Sequence, residues 1–247
     1  MIDESDAERL VWPIMEDGSP ELLTLPGGQA LVAWRRSPRA RRVSLRIDPR
    51  EGSVVVTLPT RASRGAGMAL LIDHADWVSD RLAALPDALP FADGVEVPLC
   101  AVPHRIRHRP DARGGAWVEE GEIHVTGRLE FLPRRVRDLL RAEAHRRLTQ
   151  LTAEKAAQVG RPVKRVTVKD TSSRWGSCAP DGAIAFSWRL VMAPEFVQDY
   201  VAGHEAAHLR HMNHGKRFWA LVDKLTAHRT EAIAWLHENG SALLRIG

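Results

Sequence analysis

The chain has 247 residues, 44% of them hydrophobic and 27% charged, and its formal net charge of +4 is typical of a soluble protein. This length allows one large or two small domains, each with its own hydrophobic core. No apolar run approaches the ~18 residues of a membrane span, and two cysteines far apart in sequence, Cys100 and Cys178, indicate no disulfide framework.

Residues 1–28 are predicted to be a loosely held lead-in segment, because they contain three prolines and end in a Gly27-Gly28 pair. The first residues are acidic and lack the apolar core of a secretory signal peptide. Together with the sparse cysteines, this predicts a cytoplasmic protein with no membrane partner.

Residues 29–128 are predicted to form a strand-rich N-terminal region with one helix. Three runs with strand-like composition are separated by turn residues: 30–34, 43–47 and 53–58. Apolar residues at helical spacing predict a helix over 64–85 that packs on this sheet. The Pro86 to Pro90 stretch is the best candidate linker, and 91–127 is predicted to contain further short strands.

Residues 129–247 are predicted to form a second half with a long helix and a short sheet, which makes the fold class α+β. Pro133 begins a long helix that Gly160 ends. A short strand at 166–168 precedes a predicted loop over 171–178. Clean alternation of apolar residues then predicts a strand over 184–190.

Three helices follow in the prediction. The first runs from Pro194 to about Met212, and the second carries the apolar residues between 218 and 225. The last one covers about 229–238 and ends at Asn239-Gly240.

The central motif is His204-Glu205-Ala-Ala-His208, with His214 following. On a helix, His204 and His208 lie one turn apart on one face, so they can bind one zinc ion with His214 as third ligand. A catalytic zinc keeps its fourth position for water, whose pKa it lowers to roughly 7. Glu205 can take the proton from that water. The motif predicts a zinc metallopeptidase with one Zn²⁺ per chain and a peptide or protein substrate.

Several motifs in a fixed order resemble the YgjP-like metallopeptidases, which are similar to the SprT-like zinc proteins of the zincin group. They are Ser37 to Leu45, Asp76-Trp77-Val78, Ser173 to Cys178, Ala185 to Leu190, His204 to His208, Asn213-His214 and Phe218-Trp219. The resemblance covers most of residues 30–240. It implies that His204, His208 and His214 are the metal ligands and that Glu205 is both base and acid. It also implies a compact zincin-like catalytic domain over 129–247.

Other residues near the motif have a functional and a structural interpretation. In the predicted loop, Arg174, Trp175 and Ser177 could orient the ligands or substrate, or could simply pack. The Cys178 thiolate could occupy the water position in a latent state, or Cys178 could be a small buried residue. Tyr200 could stabilise a developing oxyanion, or it could be a core aromatic.

Three further alternatives stay open at this point. His211 could assist catalysis or face solvent, and Glu231 could replace His214 as third ligand in a His-His-Glu site. The strand over 184–190 could offer its edge to an extended peptide substrate.

The sequence also permits two other functions. Six arginines between residues 35 and 46 could bind phosphates, which would make the protein a nucleic-acid-associated SprT-like protease. Alternatively, the zinc could be structural in a non-catalytic module. Glu205 favours an enzyme, because a structural zinc site needs no base and usually has four protein ligands.

Overall fold

The computed structural model describes residues 20–171 and 174–247. Residues 1–19 of the predicted lead-in segment, and two residues of the predicted 171–178 loop, therefore lie outside the described residues. The described part has a strand-rich N-terminal half and a helical C-terminal half, which confirms the α+β class.

The chain divides into two compact units, Met1–Leu85 and Pro86–Gly247. The border falls at the beginning of the predicted linker, whereas the predicted boundary lay at residue 128. The difference arises because the strands between 96 and 126 share one hydrophobic core with the long helix that follows them.

The first unit contains a four-stranded sheet in the order β1-β2-β4-β3, in which only β2 and β4 are parallel. Its strands are β1 (Glu21–Leu25), β2 (Gly28–Ser37), β3 (Ser44–Asp48) and β4 (Ser53–Pro59). Strand β1 corrects the expectation of a loose lead-in up to residue 28. It forms a hairpin with β2 and buries Leu23 and Leu25 in the core of this unit.

Two helices, α1 (Arg64–Asp73) and α2 (Ala75–Ala83), pack on this sheet where one helix was predicted. The side chain of Ser63 caps α1 by accepting a hydrogen bond from the Ala66 N–H at 3.1 Å. The helices separate at His74, which has φ −116°. Neither glycine nor proline stands there, so no residue type signalled the break.

The second unit begins with a four-stranded sheet in the order β5-β6-β8-β7. Its strands are β5 (Glu96–Leu99), β6 (Val102–Arg109), β7 (Ala116–Glu119) and β8 (Glu122–Thr126). The predicted long helix follows as α3 (Leu132–Val159), with Gly160 in the left-handed conformation at φ 69°. One stripe of α3, including Val136, Leu140 and Leu148, is fully buried.

A second, three-stranded sheet supports the rest of this unit. Its strands are β9 (Arg165–Lys169), β10 (Gly176–Cys178) and β11 (Ala183–Ser187). Strand β11 is central, parallel to β9 and antiparallel to β10. The prediction that the 184–190 strand offers a free edge to substrate is therefore wrong, because both of its edges are paired.

Two other differences concern the same region. Part of the predicted loop is strand β10, which pairs with β11 although only three residues long. The predicted strand over 184–190 ends early, because Trp188–Met192 form a buried 3₁₀ helix. Arg189 there is 1% exposed, and it contacts Asp170, the Ile246 carbonyl and the Trp188 ring.

Three helices complete the second unit: α4 (Glu195–Ala207), α5 (Lys216–Leu225) and α6 (Arg229–Leu244). The first ends five residues before the predicted Met212, in a tightened turn after His208. The last continues past its predicted end at Asn239-Gly240. Gly240 is buried inside α6, because the Trp175 ring lies 3.3 Å from the position that a Cβ would occupy there.

Among the described residues, no helix combines the length and the apolar character that a membrane crossing would require.

Two glycines of α1 generate a stability prediction for the first unit. A Cβ at Gly67 would lie 2.6 Å from the Trp34 ring and 2.9 Å from Leu58, whereas one at Gly65 would meet only Ser63 at 3.7 Å. We expect Gly67→Ala to destabilise the unit by about 1–3 kcal/mol, because overpacking outweighs the ~1 kcal/mol gain in helix propensity.

Gly65→Ala is the matched control, for which we expect no loss and up to ~1 kcal/mol of stabilisation. Urea unfolding of both variants measures the difference. Equal stability of Gly67→Ala and Gly65→Ala would show that the contact with Trp34 relaxes without cost.

Candidate metal centre

Three histidines converge at the end of α4. His204 lies in the last turn of this helix, His208 is its C-terminal cap residue, and His214 lies just before α5. Each offers a ring nitrogen, and the three nitrogens lie within 4.8 Å of one another. In residues 20–171 and 174–247, this is the one cluster of three or more His, Cys, Asp or Glu that could hold a metal ion.

The chain reversal between His208 and His214 brings the third histidine back to the helix. His208 retains helical backbone angles, φ −64° and ψ −21°, so it stays one turn from His204. The His208 Nδ1 lies 3.0 Å from the His211 carbonyl oxygen. A hydrogen bond there fixes the ring and leaves Nε2 for a ligand, as is usual for metal-binding histidines.

Aromatic side chains surround the three imidazoles. The Phe218 ring is fully buried, and its centroid lies 4.5 Å from that of His208 and 4.6 Å from that of His214. Trp219, also on α5, lies 5.6 Å from His214. Helix α5 therefore holds the returning loop against α4 by packing rather than by polar contacts.

Burial keeps two of the imidazoles neutral. Loss of solvent lowers the pKa of His204 to about 4, with neighbouring His208 and His214 adding to the effect. The same cause lowers the pKa of His208. Neutral imidazoles are the form that binds a metal, so these histidines need not lose a proton on binding at neutral pH.

Glu205 is 5% exposed and lies beside the cluster. Burial raises its pKa to about 7, although the Arg174 guanidinium acts in the opposite direction. Its Oε2 atom is buried without a hydrogen-bond partner among the described residues. A carboxyl group with a pKa near neutrality can both accept and donate a proton.

The spacing of one pair of nitrogens matches that of two ligands of a tetrahedral zinc ion. The Nε2 atoms of His204 and His214 are 3.2 Å apart. Two nitrogens bonded to zinc at about 2.05 Å and a tetrahedral angle would lie ~3.3 Å apart. His214 is exposed, so the centre is open on one side. The donor set and spacing therefore fit a metal ion with room for a further ligand.

Strand β10 touches the candidate base. A Cβ at Gly176 would lie 2.5 Å from Glu205 Oε1 and 2.6 Å from its Cγ. Only glycine fits this approach, which fixes the carboxyl group between α4 and the sheet. A glycine within a strand often marks a close contact with another part of the protein. The sequence prediction places Gly176 in a loop, so this contact does not follow from it.

The structure brings some of the other predicted residues to the centre. Tyr200 is buried, its ring centroid lies 5.9 Å from that of His204, and burial raises the pKa of its hydroxyl. Trp175 is half-buried and lies with Tyr200 and Glu205 around one cavity. Arg174 is exposed but close enough to affect the pKa of Glu205. His211 contributes its backbone carbonyl rather than its ring.

Other predicted residues lie away from the histidines. Ser177 and Cys178 line a different recess, together with Arg165, Arg174 and Ala185. Burial and the nearby Glu205 carboxylate raise the pKa of the Cys178 thiol to about 11, so it is protonated at neutral pH. Among the described residues, the cluster that could hold a metal ion consists of the three histidines and does not include Cys178.

Glu231 does not join the cluster either. Its carboxylate is exposed at the beginning of α6 and lies 3.7 Å from the His228 ring. Among the described residues, His214 is therefore the third donor that the fold brings to His204 and His208.

Of three comparisons with known proteins, one found a match, and that match is to a family of metallopeptidase domains. No match was found among curated proteins or among solved structures. The sequence model of the YgjP-like family, described as a metallopeptidase domain, matches residues 41–239. This range includes the histidine cluster, Glu205 and strand β10, and it spans most of the chain. The chain therefore belongs to the YgjP-like family of metallopeptidase domains.

Proposed function

We propose that the protein is a zinc-dependent peptidase that binds one zinc ion per chain through His204, His208 and His214. Glu205 acts as the general base. The observation that supports this best is the convergence of three imidazoles beside a buried carboxyl group with a pKa near neutrality. Membership of a metallopeptidase family supports the same reaction class.

The residues of the chain divide the chemistry between them. The three imidazoles hold the ion, which when bound would lower the pKa of a water molecule and polarise the substrate carbonyl. Glu205 accepts the proton of the attacking water and delivers it to the leaving nitrogen. Tyr200 keeps its proton at neutral pH, so its hydroxyl can donate a hydrogen bond to a developing oxyanion.

Two features argue against a purely structural zinc. A structural site usually has four protein ligands, whereas three donors converge among the described residues. In addition, Glu205 is buried beside the cluster. Burial of a carboxyl group destabilises the fold, and a structural zinc site would gain nothing from this residue.

A nucleic-acid partner and a cytoplasmic location remain predictions. Of the six arginines between 35 and 46, Arg36 donates hydrogen bonds to the Thr60 and Ala62 carbonyls, and Arg46 pairs with Asp48. The other four are exposed. A solvated surface explains them as well as phosphate binding does, so we place the peptide substrate first.

The general-base role is tested with Glu205→Gln. We expect kcat to fall by about 10²–10⁴-fold because the amide cannot accept the proton. Zinc content, measured by metal analysis of the purified protein, should stay at one ion per chain. Digestion of a peptide library by zinc-loaded wild type and Glu205→Gln at equal rates would reject the assigned mechanism.

The ligand set is tested by comparing His214→Ala with Glu231→Gln. Loss of a direct ligand should weaken zinc binding by more than the ~10–100-fold that loss of a supporting residue causes. Competition with a chelator measures both affinities. The ligand assignment would be wrong if Glu231→Gln released zinc while His214→Ala retained it.

The contact between β10 and the base is tested with Gly176→Ala. The new methyl group must displace the Glu205 carboxyl group, and displacement of a catalytic group by ~1 Å can lower kcat by about 100-fold. Zinc content should be unchanged. Gly203→Ala is the matched control, since a Cβ there meets Leu225 at an ordinary 3.5 Å. Equal kcat values for the two variants would contradict the prediction.

A further inference from the structure

A cavity of about 280 Å³ opens beside the candidate catalytic residues. Its walls are largely apolar and include Trp175, Val201, Ile233 and Leu236, and its polar lining residues are Tyr200, His204 and Glu205. This volume is slightly below the ~300–1,000 Å³ of pockets for whole small-molecule ligands. It suits one large side chain better than a complete small molecule.

The walls belong to regular elements that position them firmly. Val201 projects from α4 one turn before Glu205, and Ile233 and Leu236 project from α6. The Trp175 ring packs against Gly240 of α6, where the absence of a side chain allows the 3.3 Å approach. Because the walls are packed in this way, the cavity is a preformed feature of the fold.

An unpaired strand edge lies next to this cavity. The Ser187 N–H donates to the Trp175 carbonyl at 2.9 Å, and the Ala179 N–H donates to the Ala183 carbonyl at 2.8 Å. These two pairs flank β10 and continue its antiparallel register with β11, in which hydrogen-bonded pairs alternate. The peptide groups of the alternate residues Gly176 and Cys178 therefore point away from β11.

Strand β10 is at the edge of its sheet, and no strand of the described chain pairs with its outer side. An extended peptide can add to such an edge through main-chain hydrogen bonds, and specificity then comes from pockets for individual side chains. Gly176 both belongs to this edge and lines the cavity. A peptide bound along β10 would therefore pass the cavity and the candidate base together.

The charges around the cavity restrict which side chain can enter it. Among the described residues that line it there is no lysine or arginine, and the acidic one is Glu205. An acidic side chain would meet this carboxyl group, and any charged one would lose its solvent without a suitable partner. Ile233, which lines the cavity, is 45% exposed and so leaves apolar surface for a ligand to cover.

We infer that the protein binds its peptide substrate in extended form along the free edge of β10, and that a large apolar side chain next to the cleaved bond enters the cavity between Trp175, Ile233 and Leu236. This inference rests on the proposed peptidase function. It adds a substrate class, namely peptides with leucine, phenylalanine or methionine at one position beside the scissile bond.

The test uses zinc-loaded full-length protein and peptides in which one position at a time is Leu, Phe, Ala, Ser or Asp. For wild type we expect kcat/KM to be about 10–200-fold higher with Leu or Phe than with Ala at one position beside the bond. Ile233→Ser should reduce this preference several-fold by lowering kcat/KM with the Leu and Phe peptides. Ile72→Ser, at a 49% exposed isoleucine of α1, is the matched control and should keep the preference.

A binding measurement separates this inference from the proposed function. Zinc-loaded Glu205→Gln is titrated with the same peptides by calorimetry, which requires no cleavage. Tighter binding of Leu or Phe peptides that Ile233→Ser abolishes would support the pocket even if wild type cleaved none of them. Cleavage with no apolar preference would overturn the pocket and leave the peptidase. Neither cleavage nor selective binding would overturn both.

Discussion

The convergence of three imidazoles on one point is the constraint on which the second unit depends. Helix α4 can supply only two of them, because a third residue on the same face would lie a further ~5 Å along the helix axis. The third requires the chain to reverse after His208, and Phe218 of α5 holds the returning segment. The long helix α3 and the buried 3₁₀ segment form the core behind α4. The core of the second unit thus holds the C-terminal end of α4, where His204 and His208 lie.

The apolar surroundings of this point set the protonation states that its chemistry requires. The same loss of solvent that lowers the pKa of His204 to about 4 raises that of Glu205 to about 7. Burial acts in opposite directions because it always disfavours the charged form. One environment therefore favours the neutral forms of His204 and His208, two of the proposed ligands, and gives the proposed base Glu205 a pKa near neutrality.

Sequence reasoning predicted what periodicity and spacing encode. The long helix, most strands and the grouping of His204, His208 and His214 followed from local patterns. It missed features that depend on tertiary contacts. Strand β10 is held by its pairing with β11. Gly240 lies inside α6, and the Trp175 ring occupies the space that a side chain at residue 240 would need. The 184–190 alternation was misassigned because buried 3₁₀ and strand residues are equally apolar. The shape of the cavity depends on these contacts and was not predictable.

The packing of Trp175 on Gly240 has a consequence for how such a protein could diverge. Residue 240 lies behind the indole ring, so a methyl group there would have to push the ring by a few tenths of an ångström toward the open space. A substitution at residue 240, which does not line the cavity, would therefore change the width of the cavity by moving the Trp175 ring. Selectivity could drift among descendants through a residue that no substrate ever touches, while the ligating and proton-transferring groups stay unchanged.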